Sequence, residues 1–279
     1  MPDDWRIARF SLLRAHLAGL RGQDGEPLYD VTARDRGAPP GFSDPVLARI
    51  DESDFSQLWL FAVDTGDGLN EEECAAIARF RDRGRGLLVT RDHMDLGSSV
   101  CELGGVGRAH HFHSQNPNPD PTRRRIDDPF TQQILWPNFH SGANGDFQKI
   151  APVGDIHPLL ADPDAPSGFL RYLPAHPHEG DVSAPSDDPR ARVIATGRSK
   201  VTGVEFAIAV AFEPQADGTG AGLAQSTFQH FADYNWDPGM GAPSFVTEPP
   251  GQGLATSPEA RRSIERYMTN VAHWLKPRA

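Results

Sequence analysis

The chain has 279 residues, a formal net charge of −11 and 38% hydrophobic residues, enough apolar material for a substantial core. Arginine is scattered, and the densest basic run, Arg123-Arg124-Arg125, is followed at once by Asp127-Asp128, so charge-driven binding of nucleic acid or an anionic membrane is excluded. Cys74 and Cys101 are too few for a disulfide framework, no apolar run approaches a membrane span and no secretory signal is recognised, so a cytoplasmic location is expected.

Apolar residues at Trp5, Phe10, Leu13, Leu17 and Leu20 recur at helical spacing, which predicts a helix over Asp4–Leu20 with Gly22 as its stop. Tyr29-Asp30-Val31-Thr32 reads as a short strand. Leu58–Val63 is a continuous apolar run, expected as a strand buried on both faces of a parallel sheet. Asn70 followed by Glu73 is a capping-box pattern. Glu71, Glu72 and Glu73 complement the positive end of the helix dipole. Cys74, Ile77, Ala78 and Phe80 form the inward stripe, Gly84 ends the helix, and Leu87–Thr90 is the next buried strand. Strand, capped helix and strand within this length make a βαβ unit, hence parallel pairing.

No period holds from Gly104 to about Gln148, a loop insertion rich in His, Asn, Pro and Gly that is read as a lid. Further strands are predicted at Arg192–Thr196, Phe206–Phe212 and Ala224–Phe228. The last helix has Ser257 as N-cap, Pro258 in its first position, and Ala260, Ile264, Met268, Val271 and Leu275 as its stripe. The chain, 1–279, is expected to be one α/β domain. Its sheet would be flavodoxin-like and mostly parallel, flanked by helices, with long loops over the C-terminal ends of the strands.

The segment Gly84-Arg85-Gly86-Leu87-Leu88-Val89-Thr90-Arg91-Asp92-His93 resembles the nucleophile-elbow region of class I glutamine-amidotransferase-like folds. It is more similar to the ThuA-like (trehalose-utilisation) branch, in which the elbow carries histidine in place of cysteine. His157-Pro158-Leu159, the run Ser226-Thr227-Phe228-Gln229-His230 and the closing His273-Trp274-Leu275 support the resemblance, which spans roughly Phe55 to the C-terminus. Two features depart from the pattern. No strand precedes Trp5, and Arg91, Asp92 or His93 each fits the elbow position. Cys101 lies too far beyond the strand to be the nucleophile, so glutamine hydrolysis by a thiolate is excluded.

Several tracts carry candidate chemistry. Arg91-Asp92-His93-Met94-Asp95 follows a strand end, where open α/β sheets bind ligands; Asp92 and His93 are expected as base or ligand, Arg91 as a substrate contact. The plainer reading makes Asp95 a helix cap and Asp92 a turn residue. In an extended His110-His111-Phe112-His113, His111 and His113 point the same way, and a shared divalent metal is the sharper expectation against solvated side chains. His176-Pro177-His178-Glu179 could be a ligand set, an extended His-x-His beside a carboxylate, but reads first as a loop at the pocket mouth, with His178 and Glu179 as substrate contacts. His230 and Asp233 are the complementary acid or ligand. Tyr234 and Trp236, beside acids and amides, are what a sugar site uses. Trp136–Asp146 is read as the lid, with His140 as a substrate contact, or as an ordered Gly-rich loop.

The leading expectation is an enzyme, a hydrolase or isomerase, acting by acid–base or metal-assisted chemistry on a small polar substrate. The sugar-derivative element comes from the ThuA-like resemblance. The alternative is a non-catalytic binding or accessory protein that keeps an amidotransferase-like shell. A homo-oligomer is expected by analogy with related folds.

Overall fold

The structure is a computed structural model that describes residues 5–103, 105–128 and 133–278. The expected capped helix forms as read. Helix α2 (Glu71–Asp82) starts at Asn70, whose side chain accepts from Glu73 N–H while the Glu73 carboxylate accepts from Asn70 N–H. That carboxylate does more than cap. It also takes two guanidinium bonds from Arg36, each 2.9 Å, and the backbone N–H of Asp44 at 2.8 Å. The helix start and the arm over residues 34–44 therefore share one buried charge.

On either side of α2 run strands β1 (Gln57–Phe61) and β2 (Gly86–Thr90), parallel as the βαβ reading requires. The sheet continues with β3 (Ala151–Pro152), β4 (Ala191–Arg198), β5 (Glu205–Phe212) and β6 (Gly222–Gln225), in spatial order β1-β2-β6-β5-β4-β3. Only β1–β2 and β2–β6 are parallel; the other three pairings are antiparallel. This differs from the mostly parallel sheet expected from the apolar runs, and connection length explains it. Residues 199–204 join β4 to β5 and residues 213–221 join β5 to β6. A parallel crossover needs about a dozen residues or more, which neither link supplies.

Both faces are covered. Leu88, Leu223, Ala209 and Ala211 pack toward α1 (Ser11–Gly19) and α3 (Pro258–Trp274), through Leu13, Leu17, Tyr267, Met268 and Val271. Their sequence neighbours Leu87, Val89, Val210 and Ala224 pack the other way, against Ile77 and Phe80 of α2. This alternation is why β2, β5 and β6 read as continuous apolar runs. As expected, Ser257 caps α3 by accepting from Ala260 N–H, with Pro258 in the first turn.

Three expectations need correction. The first helix is shorter than 4–20: residues Ile7–Phe10 form a 3-10 turn before α1, and Asp4 lies outside the described residues. Residues 29–32 join no sheet; together with β1 they line a groove of about 1300 Å³. Strand β1 is an edge strand and is only half buried along its length, not enclosed on both faces. Its Phe61 instead stacks on Phe10 with ring centroids 4.4 Å apart. Among the described residues, no helix is long and apolar enough to cross a membrane.

Candidate functional site

The register of the parallel strands builds the site. Thr90 pairs with Gln225, so the residues just beyond, Arg91-Asp92 and Ser226-Thr227, leave the sheet side by side. Thr227 donates its hydroxyl to Asp92 Oδ1 at 3.1 Å, and Phe228 N–H bonds the Arg91 carbonyl. A third segment comes alongside. Gly180 N–H donates to the Ser226 carbonyl, and Glu179 exchanges backbone bonds with Phe139. His176 faces Asp92 there, the chain bends at residues 177–178 and sets the His178 ring against His176, and Glu179 faces His230.

Asp92 is the centre of the cluster. Its side chain is 2% exposed, at the C-terminal end of β2. Oδ1 lies 3.4 Å from His176 Nε2, and Oδ2 lies 3.6 Å from His93 Nδ1. The His93 ring, 20% exposed, meets His178 with centroids 5.2 Å apart, and His178 meets His176 at 5.4 Å. Outside them, His178 Nε2 is 3.1 Å from Glu248 Oε1, and its Nδ1 is 3.8 Å from Asp128 Oδ2. His140, mostly buried, lies where His178, Lys200 and Asp128 act on its charge.

Electrostatics follow from this enclosure. Burial opposes the charge on Asp92, but His176 and then His93 outweigh it and hold the carboxyl well below the usual range. Burial pushes His176 below its ordinary 6.5, with Asp92 pulling the other way. His140 is lowered by burial as well. The hydrogen bond from His178 lowers Glu248 to about 2.

Behind this cluster lies a second carboxylate–imidazole pair. Glu179 and His230 are fully buried, with Glu179 Oε2 3.4 Å from His230 Nε2. Here both members of the pair are engaged. Ser226 donates to Glu179 at 2.8 Å, Gln148 reaches both Glu179 and His230, and His230 Nδ1 meets Gln225, which in turn accepts from Tyr267.

Other candidates take structural places. Arg91 is fully buried and turned away from the cluster. It donates to the carbonyls of His111, Asp181 and Met94 and stacks on Phe112, 3.9 Å from the ring centre, so it clamps three loops rather than meeting a substrate. Asp233 accepts from Ser11 N–H, Ser11 Oγ and Leu12 N–H, which commits it to the start of α1. Trp236 is 3% exposed, with its indole N–H on the His230 carbonyl, so it is packing and not a sugar platform. Tyr234 lies near Glu248, whose charge acts on it. Asp95 accepts from Ser114 N–H instead of capping a helix.

His111 and His113 do not converge. The ring of His111 is held by the Asn116 carbonyl and Ser183 Oγ, whereas His113 packs on Trp136 at 4.3 Å. Among the described residues, no three His, Cys, Asp or Glu side chains are arranged to hold a metal ion. The Trp136–Asp146 tract is no loose lid: Phe139 and Ser141 are hydrogen-bonded along Glu179 and His176. Residues 104 and 129–132 of the expected loop lie outside the described residues.

Sequence reasoning placed Asp92, His93, His140, His178 and Tyr234 in this neighbourhood. It weighed His176 only as part of a His-x-His ligand set, and it missed Asp128 and Glu248. His176 was legible in the His-x-His spacing. Asp128 and Glu248 come from irregular loops, where no period marks an inward side chain. No protein-family model and no curated protein matches the chain.

Proposed function

We propose that the protein is an enzyme that moves protons on a small, neutral, polar substrate at the Asp92–His93–His176–His178 cluster. The observation that carries this reading is a single buried carboxylate, past the end of a parallel strand, serving two imidazoles, one on each oxygen. A carboxylate on one imidazole nitrogen orients the ring and supports the charge that forms when the other nitrogen takes a proton. His93, the more exposed of the two, is the group that meets substrate, and Asp92 is its orienting partner. His178, stacked on His93 and bonded to Glu248, is the second acid–base group.

The charge balance selects against anions. Asp92, Asp128 and Glu248 face the cluster against one nearby cation, Lys200, while the Arg91 guanidinium faces backbone carbonyls behind it. A neutral polyol, such as a sugar or sugar lactone, fits such a lining. The ThuA-like resemblance supports the same class. Hydrolysis and proton transfer beside a carbonyl both need only these groups.

The test is a panel of neutral sugars, sugar lactones and simple esters, scored by melting-temperature shift and by product formation in NMR. Turnover of at least one member is expected, falling about 100-fold or more in folded His93→Ala and Asp92→Asn proteins, the usual weight of a positioned acid–base group. Binding without turnover, unchanged in both variants, would make the protein a ligand-binding shell instead.

A further inference from the structure

Hydrogen bonds behind His176, anchored on a backbone carbonyl, determine where its proton sits. The Ala175 carbonyl only accepts, so the Asn235 amide atom 2.9 Å from it is Nδ2. The same Nδ2 lies 2.9 Å from an atom of the Asn144 amide, which must then be the acceptor Oδ1. His176 Nδ1 faces that oxygen at 2.8 Å, a hydrogen-bond distance that requires a donor, so Nδ1 carries a proton. In the neutral ring Nε2 is then a bare lone pair. It is buried, makes no hydrogen bond and lies 3.4 Å from Asp92 Oδ1.

We propose that Asn144 and Asn235 are positioning residues that lock His176 in its Nδ1–H tautomer, leaving Nε2 as a proton acceptor in the site. The usual carboxylate–imidazole dyad has the neutral ring donating to the acid. Here the two asparagines forbid that arrangement for His176, and only His93 is left free to adopt it. When a water or a substrate O–H or C–H bond breaks, the electron pair stays on the oxygen or carbon and a new N–H bond forms at Nε2. The resulting cation lies between Asp92 Oδ1 and Asn144 Oδ1. His178, Glu179 and Glu248 are the other titratable groups acting on it. The use made of the lone pair rests on the acid–base reading above. The tautomer itself does not.

The experiment is a long-range proton–nitrogen correlation spectrum of the nitrogen-15-labelled full chain at neutral pH, with His176 assigned by comparison with His176→Gln. The wild-type ring is expected to show protonated Nδ1 and bare Nε2, with the opposite tautomer below about a tenth, since a buried hydrogen bond separates the two. Asn144→Leu removes the acceptor and is expected to invert the preference, with Nε2–H turning to Asp92. Asn144→Asp keeps an acceptor and is expected to retain Nδ1–H. A wild-type ring protonated at Nε2, neutral or cationic, overturns the proposal before any variant is made. A folded Asn144→Leu protein that keeps Nδ1–H overturns it as well. If the tautomer is as stated but His93→Ala leaves turnover intact, the acid–base reading fails and this one stands.

Discussion

Two buried carboxylate–imidazole pairs lie close together in this fold, each with a closest oxygen-to-nitrogen distance of 3.4 Å, and they are built to opposite ends. Glu179–His230 is saturated: Ser226, Gln148 and Gln225 supply partners, and nothing in the pair is left to react. Asp92–His176 is held from behind by Thr227 and Asn144 but keeps an unmet nitrogen on its inner side. Distance and burial are nearly the same in both. Hydrogen-bond completeness is what separates the two pairs, and an unmet buried group is costly.

The comparison breaks most sharply on removal of the saturated pair. Glu179→Ala strands His230, Ser226 and Gln148 in the core, and unfolding in urea should show a loss of about 3–5 kcal/mol, the range for breaking a buried pair. Asp92→Asn should cost within about 1–2 kcal/mol in the same assay, since fewer partners are orphaned. If both cost the same, the division of labour is wrong.

Acid sharpens the contrast next. A histidine whose folded pKa is lowered binds its proton less readily folded than unfolded. Its penalty is absent above the ordinary 6.5 and grows as pH falls below it. Stability should therefore decline from about pH 6.5 downward, a slope that His176 shares with His110, His140 and His157, all lowered mainly by burial. His176→Gln should flatten that slope by at most about 1.4 kcal/mol per pH unit, one proton's worth. Glu248 has the carboxylate sign: its contribution is present above its ordinary 4.5 and lost as pH falls toward about 2. In Glu248→Gln protein the midpoint curve should lose only this lower limb. The smallest effect belongs to Trp236→Phe, which removes one indole bond to the His230 carbonyl and should cost about 1 kcal/mol.

The elements most legible in the sequence were those with local causes. The capping box at Asn70 and Glu73, the Ser257-Pro258 helix start and the enclosed run Leu87–Thr90 each carry their reason within a few residues. Strand direction was not local. The run at Phe206–Phe212 looks as a parallel strand does, because burial on both faces erases the alternation that marks an antiparallel pair, and its partner Arg192–Thr196, only partly buried, does not alternate either. Only the short link over residues 199–204 signalled the reversal. The site divides in the same way. Asp92 and His93 follow from a strand end, and His176 with His178 from a His-x-His spacing. Asp128, Asn144 and Glu248 reach the cluster through loops whose course depends on contacts made elsewhere. Within the basic run, Arg123 turns inward to Asp181 and Arg124 lies over Trp136.

Glu73 shows what such sharing does to sequence freedom. At the third position of a capping box, glutamate and glutamine are ordinarily interchangeable, since either side chain reaches back to one N–H. Here four N–H groups converge on two oxygens: two from Arg36 and one each from Asp44 and Asn70. An amide would turn its own NH2 toward some of those donors. A mutation that is silent in an isolated helix would thus release a distant stretch of chain, and the tolerance of position 73 is set by the arm it tethers, not by the helix it begins.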